Sequence, residues 1–238
     1  MKPRSGDLFD EFLPDRPAAP SVAPLAERFR PRDLSEMRLP ASVAGPSSLL
    51  GRAIAADRVP SLVLWGPPGS GKTTLARIIA ARTKARFLAF SAVVSGVKEI
   101  REVLEESQRL AARGERTLLF VDEIHRFNRA QQDVFLPYVE SGSATLVGAT
   151  TENPSFELNG ALLSRMRVVV LPPLSREDLA EILRSAAAEP GRGLSGRVTL
   201  GADGVTIRTG WRRRFIPYAD IDALEQHDPA AGPGRPVP

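Results

Sequence analysis

Residues 66–73 read Gly66-Pro67-Pro68-Gly69-Ser70-Gly71-Lys72-Thr73, which matches the pattern G-x-x-x-x-G-K-[ST] at every fixed position. The apolar run 61–65 precedes this stretch, and the helix-forming run 74–81 follows it. A phosphate-binding loop requires this order of strand, glycine-rich loop and helix. The other interpretation is a glycine-rich turn before an ordinary helix, and the agreement of the loop with both flanking elements argues against it. The stretch therefore predicts an α/β fold built around a phosphate-binding loop.

The loop residues have the chemistry that a polyphosphate requires. Glycines let the backbone turn tightly and direct successive N–H groups towards one point, where the next helix adds the positive end of its dipole. Lys72 is expected to reach the β and γ phosphates, and the Thr73 hydroxyl is expected to take one place on Mg²⁺. We therefore expect ATP and Mg²⁺ as ligands, with the binding residues Gly66, Pro67, Pro68, Gly69, Ser70, Gly71, Lys72, Thr73 and Thr74.

Composition limits the class of protein. The chain has 238 residues, 42% of them hydrophobic, which is enough for a substantial core. It has no cysteine, and this excludes disulfides and thiolate metal sites. No stretch approaches the roughly 18 uninterrupted apolar residues of a membrane span. Residues 1–7 have no apolar signal-peptide region behind them, so we expect a cytoplasmic location and no membrane partner.

The basic residues are mostly arginine. Of the 32 lysines and arginines, 28 are arginines, and the formal net charge is +4. Arginine favours planar pairing with phosphate, which makes nucleic acid a candidate partner. Solvated surface charge in an arginine-rich proteome explains the composition equally well.

The chain divides into four predicted segments. Prolines interrupt residues 1–24, which show no periodicity and are expected to be a flexible leader. Residues 25–188 alternate short apolar runs with amphipathic segments, as a parallel sheet flanked by helices does. Residues 189–226 begin with glycine and proline and then alternate as strands do, with Asp203-Gly204 as a hairpin turn. Residues 227–238 are rich in proline and glycine and are expected to be a disordered tail.

The core pattern predicts a doubly wound domain with three layers, helix, sheet and helix. The strands are expected at 61–65, 86–90, 116–121, 144–149 and 167–171. Helices are expected near 73–83, 97–113, 128–141 and 158–164. Another helix is expected to begin at Ser175, because Ser175 and Asp178 form an S-x-x-D capping pattern.

Hydrolysis requires a carboxylate besides the loop, and residues 118–123, Leu-Leu-Phe-Val-Asp-Glu, supply a pair. Asp122 ends a buried strand and is expected to hold Mg²⁺ through water. Glu123 is expected to orient or deprotonate the attacking water. Acidic pairs at strand ends are often only solvated turns, but the phosphate loop about fifty residues upstream favours the catalytic interpretation.

The strand at 145–149 ends in polar residues. In a sheet of this kind ligands lie outside the carboxyl ends of the strands, so a side chain there can bond the γ phosphate or its attacking water. Thr150 is our choice for this sensing role, with Thr151 and Asn153 as alternatives. A helix cap or turn residue is the structural interpretation of Thr150.

Two further positions, Arg165 and His125, carry side chains that catalysis could use. Arg165 follows a short helix, where an arginine can reach the γ phosphate of a neighbouring subunit and stabilise the transition state. A cation that satisfies the helix dipole is the competing interpretation. His125 follows the acidic pair, and we assign it a structural role and no chemical step.

These residues together resemble the AAA+ ATPases, and more narrowly the replication-associated recombination protein A family, which is related to the Werner helicase-interacting protein. The resemblance is dense from about Pro24 to Ser185. Among its longest runs are Phe120-Val121-Asp122-Glu123-Ile124-His125-Arg126-Phe127-Asn128 and Gly148-Ala149-Thr150-Thr151-Glu152-Asn153-Pro154-Ser155-Phe156. The resemblance implies a P-loop NTPase core of the AAA+ type, with Thr150 as the sensor and Arg165 as the arginine finger.

The same resemblance implies partners. It is to clamp-loader-like proteins that form homo-oligomers or co-assemble with other AAA+ subunits. They act on single-stranded, gapped or forked DNA at stalled replication forks, with DNA-stimulated ATP hydrolysis. Single-strand-binding protein and a nucleoid-associated location are further expectations from this resemblance. Lys98 and Arg101 fall where related assemblies face DNA, and an exposed helix face explains them equally well.

The sequence departs from the family pattern in two places. Residues 38–46 replace a Gly-Gln turn near the adenine pocket, so base contacts there are in question. The family's helical lid with its second sensor arginine is not visible, and residues 205–218 stand in its place as a basic, hairpin-like segment. Trp211 and Phe215 could stack on bases while the arginines 212–214 contact phosphates. We favour an alternating strand whose aromatic residues pack and whose arginines stay in water.

The sequence thus predicts an ATP-hydrolysing AAA+ module that acts on DNA in replication-fork maintenance, recombination and repair. The alternative is an ATP-binding regulatory or inactive truncated module with little turnover. A small-molecule kinase is disfavoured, because Glu123 beside Asp122, followed by Thr150 and Arg165, is an arrangement for hydrolysis.

Overall fold

The computed structural model describes residues 25–93, 96–188, 197–200, 204–209 and 212–217. The described residues fall into two compact units, one within Arg30–Leu174 and one that joins residues of Ala19–Phe29 to residues of Ser175–Pro238. The predicted leader at 1–24 and the predicted tail at 227–238 lie outside the described residues. Across the described part of the chain, no helix is both long and apolar enough to cross a membrane.

The described residues of the first unit contain a five-stranded parallel sheet. The strand order is β2-β3-β4-β1-β5, and every pairing within it is parallel. The strands are β1 (Leu62–Trp65), β2 (Arg86–Ser91), β3 (Thr117–Asp122), β4 (Ala144–Thr150) and β5 (Arg167–Val170). Each strand end lies within one residue of its predicted position, and the predicted parallel sheet is confirmed. Strands buried on both faces are nearly continuous apolar runs, which makes them easy to locate in a sequence.

Helices of the first unit connect its strands and cover its sheet, and the second unit contributes further helices. In chain order they are α1 (Leu25–Arg28), α2 (Ala41–Ala44), α3 (Leu49–Ala55), α4 (Lys72–Arg82), α5 (Val97–Ala111), α6 (Arg129–Asp133), α7 (Leu136–Glu140), α8 (Pro154–Glu157), α9 (Gly160–Leu163) and α10 (Arg176–Ala188). Short 3₁₀ turns lie at Leu34–Glu36 and Ile124–Arg126. The helix α1 belongs to the second unit.

Two apolar clusters lie on opposite faces of the sheet. On one face Leu75 and Ile79 of α4 pack with Leu64 of β1. On the other face Ile100 and Leu104 of α5 pack with neighbouring strands. In α5 the buried residues recur with helical spacing, at positions 100, 103, 104, 107 and 110, which turns one face of the helix to the sheet. The predicted three-layer arrangement is therefore confirmed.

The single helix predicted at 128–141 is wrong. The structure has two short helices there, α6 and α7, with Val134 and Phe135 between them. Pro137 has no N–H and its ring would clash with the carbonyl of Asp133, so one continuous helix cannot pass through it. The side chain of Phe135 instead turns into the core, where it is fully buried.

In the second unit, α10 begins where the capping pattern predicts. The Asp178 N–H donates to Ser175 Oγ at 3.0 Å, and the Ser175 N–H donates to the Asp178 carboxylate at 3.0 Å. Three antiparallel strands lie beyond it, β6 (Arg197–Leu200), β7 (Gly204–Thr209) and β8 (Arg212–Pro217), in the order β6-β7-β8. Leu200 pairs with Val205 across the predicted Asp203-Gly204 turn. The strand β8 adds a third member to the predicted hairpin.

Candidate nucleotide-binding site

The phosphate loop runs from the end of β1 to the start of α4. Its glycines allow positive φ angles and a close approach of neighbouring backbone. Gly69 and Gly71 have φ values of 74° and 90°, in the left-handed region that favours glycine. A Cβ at Gly66 would lie 2.2 Å from the Leu171 carbonyl oxygen, which is closer than any side chain allows. The loop is thus held tightly against the end of β5.

The side chain of Lys72 crosses this loop. Its Nζ donates to the carbonyl oxygens of Gly66 at 2.8 Å and Pro67 at 2.9 Å, and the side chain is buried. Burial lowers the pKa of Lys72 from its usual value, and the nearby carboxylates of Glu123 and Asp122 oppose that shift. An ammonium has three N–H donors. The two carbonyls therefore orient Lys72 and leave one donor for a phosphate oxygen.

The two residues predicted to hold Mg²⁺ lie together. The Thr73 hydroxyl donates to Asp122 Oδ2 at 3.3 Å, because α4 begins beside the carboxyl end of β3. A hydroxyl and a carboxylate are oxygen ligands of the kind that Mg²⁺ prefers. In the same loop the Ser70 hydroxyl is buried, with no hydrogen-bond partner among the described residues. An orphan hydroxyl, a buried ammonium and this oxygen pair fit a triphosphate with Mg²⁺.

Glu123 directly follows β3 with its backbone in the left-handed region, at φ 53°. Its carboxylate Oε2 lies 3.3 Å from His125 Nδ1, which in turn lies 2.9 Å from the hydroxyl of Thr150. The structure therefore brings Glu123 and Thr150 to one histidine for which sequence reasoning found no chemical step. Only the pairing of β3 with β4 reveals this contact, since His125 and Thr150 lie 25 residues apart in the chain.

Two predicted residues have hydroxyls that are already engaged. The Thr150 side chain is fully buried, and its hydroxyl bonds the backbone of Glu152 as well as His125. The Thr74 hydroxyl accepts from the guanidinium of Arg30 at 3.0 Å. Thr151, which follows Thr150, is half-buried.

Arg165 lies just beyond α9 and is turned towards its own chain. Its guanidinium donates to the Ala161 carbonyl at 2.7 Å and to the Ser164 hydroxyl at 3.1 Å, and it pairs with Glu140 at 2.6 Å. None of these partners belongs to the phosphate loop. The structure thus does not bring Arg165 to the other predicted site residues.

Comparisons with known proteins agree with this geometry. The family model "ATPase family associated with various cellular activities (AAA)" matches residues 62–174. The replication-associated recombination protein A of Coxiella burnetii is 52% identical over 202 residues, which is 85% of this chain and 44% of that protein. The chain belongs to the replication-associated recombination protein A family of AAA ATPases. The ATPase WRNIP1 of Dictyostelium discoideum is 48% identical over 164 residues, 69% of this chain and 19% of that protein.

The chain spans less than half the length of these two relatives of the AAA family. A solved structure of the Thermotoga maritima RuvB Holliday junction branch migration motor has a TM-score of 0.56 and 33% sequence identity. That likeness covers 68% of this chain and 54% of the RuvB chain. The fold is therefore the predicted α/β core of an AAA ATPase.

An apolar groove of about 410 Å³ lies along the edge strand β5 of this AAA core. Residues of the 40–50 segment form one wall, and β5 and Pro172 form the other. Val170 of this groove pairs with Trp65, the residue before the phosphate loop. The segment 38–46, which departs from the family pattern, therefore lines a groove that begins beside the loop.

The basic residues expected to face DNA are only partly described. Lys98 and Arg101 are exposed on α5, which fits both interpretations given above. Arg212, Arg213 and Arg214 lie in β8. Phe215 is 51% exposed, more than a packed aromatic residue would be, and Trp211 lies outside the described residues.

Proposed function

We propose that this chain hydrolyses ATP and uses the cycle to act on DNA in replication and recombination. The observation that carries the proposal is the meeting of Lys72, Thr73 and Asp122 at one edge of the sheet, with Glu123 next in the chain. The names of the relatives, a replication-associated recombination protein and a Holliday junction motor, support the process.

In this proposal the phosphate loop binds and orients the triphosphate. The backbone N–H groups of the loop and Lys72 hold the phosphate oxygens, and Thr73 and Asp122 hold Mg²⁺. When bound, Mg²⁺ neutralises charge that develops on the phosphates. Glu123 orients the attacking water and accepts its proton. Thr151, which follows β4, senses the γ phosphate, because the Thr150 hydroxyl is already bonded to His125 and Glu152.

We place the base of the nucleotide in the groove along β5. The groove begins beside the loop, and its apolar walls of Val43, Leu49 and Val170 suit a planar ring. ATP should therefore bind at least ten times as tightly as inorganic tripolyphosphate, since a buried ring adds about 1.4 kcal/mol or more of apolar contact. Equal affinities for ATP and inorganic tripolyphosphate would contradict this placement of the base.

Arg165 acts, in this proposal, on the nucleotide of a neighbouring subunit. Its contacts with Ala161, Ser164 and Glu140 keep it within its own chain, and it is 41% exposed, which leaves it accessible to a second copy. A lone chain then lacks the arginine that stabilises transition-state charge. Oligomers of this chain, or assemblies with other AAA subunits, would supply it.

We further propose that DNA stimulates turnover, with Lys98 and Arg101 among the contacts to its phosphates. Single-stranded, gapped and forked DNA are the candidate substrates, and single-strand-binding protein is a candidate partner. DNA affinity carried by such contacts falls steeply with salt, because each neutralised phosphate releases counterions.

Steady-state ATP turnover of the full chain, with and without single-stranded and gapped DNA, tests the proposal. The Glu123→Gln variant serves as the blank, because it keeps the shape of the side chain but replaces the carboxylate base with a neutral amide. Turnover that exceeds the blank and rises with DNA is the expected result. ATP binding without turnover above the blank would favour the alternative, an ATP-binding regulatory module.

A further inference from the structure

His125 lies in the 3₁₀ turn that follows β3 and is largely buried, with 12% of its side chain exposed. Its Nδ1 lies within reach of two of the residues assigned above to the ATPase site, Thr150 Oγ1 at 2.9 Å and Glu123 Oε2 at 3.3 Å. One ring nitrogen therefore lies between the general base and the end of β4.

The oxygen atoms around His125 Nδ1 favour one tautomer of the imidazole ring. The Thr150 hydroxyl donates to the Glu152 carbonyl at 3.3 Å and accepts from the Glu152 N–H at 3.0 Å. An Nδ1 without a hydrogen would present its lone pair to the Glu123 carboxylate oxygen at 3.3 Å, which is unfavourable, so we infer the Nδ1–H form of His125. That single hydrogen is then shared between the Thr150 oxygen at 2.9 Å and the more distant Glu123 carboxylate.

Thr150 is itself tied to the phosphate loop. Its carbonyl oxygen accepts from the Gly66 N–H at 3.2 Å, where β4 lies next to β1. A continuous path of contacts thus runs from the first residue of the loop through Thr150 and His125 to Glu123. Movement of the loop relative to β3 would therefore change the position of the Glu123 carboxylate.

We propose that His125 is a positioning residue that fixes the carboxylate of Glu123 through its Nδ1–H, with the Thr150 hydroxyl as its anchor. The inference rests on the proposed ATPase function. Glu123 needs such support because it follows β3 on a left-handed backbone and its side chain is 31% exposed. A carboxylate on an exposed turn would otherwise sample several rotamers and orient water poorly.

Turnover kinetics of His125 variants test the positioning role. His125→Phe keeps a planar ring without the N–H, and we expect kcat to fall by about 10- to 100-fold with little change in ATP affinity. His125→Asn places an amide N–H near the Nδ1 position and should recover at least part of the loss. An equal kcat in His125→Phe and the parent, or a raised kcat, would overturn the inference.

The role of the Thr150 hydroxyl as anchor is tested by combining a Thr150 variant with a His125 variant. Thr150→Val keeps the shape of the side chain and removes the hydroxyl, and it should lower kcat in the same way as His125→Phe. Because both changes break one path, the double variant should be no slower than the slower single variant. Multiplying losses would instead show independent roles and contradict the proposal. Matching thermal unfolding curves exclude loss of fold as the cause.

A spectroscopic test does not depend on turnover. The chain has two histidines, His125 and His227, so long-range ¹H–¹⁵N spectra of the imidazoles are assigned with a single His227→Asn variant. We expect the Nδ1–H form for His125 and a changed spectrum in Thr150→Val. An Nε2–H form in an active chain would overturn the inference, whereas an inactive parent with the Nδ1–H form would overturn the proposed ATPase function alone.

Discussion

Among single residues, Lys72 combines burial with charge. Burial disfavours its ammonium and lowers its pKa, yet two carbonyls and two nearby carboxylates stabilise the charged form. A side chain that served only packing would be apolar. In the proposed function, a bound triphosphate adds further negative charge beside this ammonium.

We expect Lys72→Ala to abolish measurable ATP binding, with an affinity loss of about 100-fold or more, since it removes a charge-assisted contact to two phosphates. Fluorescent nucleotide titration measures it. Lys84→Ala is the matched control, because Lys84 is an exposed lysine at the end of the sheet away from the site. Equal affinity in Lys72→Ala and the parent would disprove the assignment of the site.

Between elements, the buried side chain of Gln132 joins three segments. Its Nε2 donates to the Phe127 carbonyl at 2.8 Å and to the Glu157 carbonyl at 3.1 Å, and its Oε1 accepts from the Asn159 N–H at 2.7 Å. The turn that follows Glu123 is thereby tied to α8 and α9, the helices that lead to Arg165. One glutamine thus links the turn after Glu123 to the two helices that precede Arg165.

Gln132→Leu should lower the free energy of unfolding by about 3 kcal/mol, because it leaves three backbone groups unpaired in the interior. Urea denaturation measures the loss. Gln108→Leu, on the exposed face of α5, is the control and should be nearly neutral. A Gln132→Leu variant as stable as this control would mean that water replaces the side chain.

Asp57 ties the turn after α3 to two distant segments. The Lys84 N–H donates to its carboxylate at 3.1 Å, and Arg116 pairs with it. The Lys84 hydrogen bond and Arg116 lower the pKa of Asp57 below its usual 3.8. A lowered acid pKa contributes stability above the unfolded value, and this stability is lost as pH falls through the lowered pKa.

Asp57→Asn should therefore unfold at a lower temperature than the parent at neutral pH, with the gap closing as pH falls below 3.8. The effect should be small, since exposed ion pairs contribute little. Thermal unfolding over a pH series measures it, and Glu115→Gln, an exposed carboxylate next to Arg116 in the chain, is the control. A gap that stays constant down to acid pH would assign the effect to something other than charge.

The elements differ in how well the sequence predicts them, and the reasons are physical. The three central strands, β1, β3 and β4, are found because a buried parallel strand is a nearly continuous apolar run such as residues 118–121. The 128–141 segment is misjudged because helical periodicity outweighed Pro137, although that proline alone excludes one continuous helix. Local sequence patterns also predict the roles of Lys72 and Asp122. The roles of His125 and Gln132 arise from tertiary contacts, which no spacing in the sequence encodes.

At the scale of the whole molecule, the position of Arg165 predicts different ATP turnover for a single chain and for an assembly. The arginine is paired with Glu140 of its own chain and has no contact with its own phosphate loop among the interactions described above. If a neighbour supplies the arginine, turnover depends on protein concentration. The same chain then behaves as a nucleotide-binding protein when dilute and as an ATPase when assembled.

Arg165→Ala should bind ATP normally and lose turnover by about 10³-fold or more, because the transition state loses its charge partner. Mixing it with Glu123→Gln should restore part of the activity, since the mixed interface joins an intact Glu123 to an intact Arg165. Arg129→Ala, an exposed arginine on α6, is the control. No recovery at any mixing ratio would argue against action between subunits.

The close approach at Gly66 also constrains how this sequence can change. Any other amino acid adds a Cβ, which would lie 2.2 Å from the Leu171 carbonyl oxygen, and backbone cannot move aside as a flexible side chain can. We therefore expect every missense codon change at this position to be a loss-of-function allele, regardless of the size or polarity it introduces. In a saturation-mutagenesis library selected for activity, position 66 should retain glycine alone.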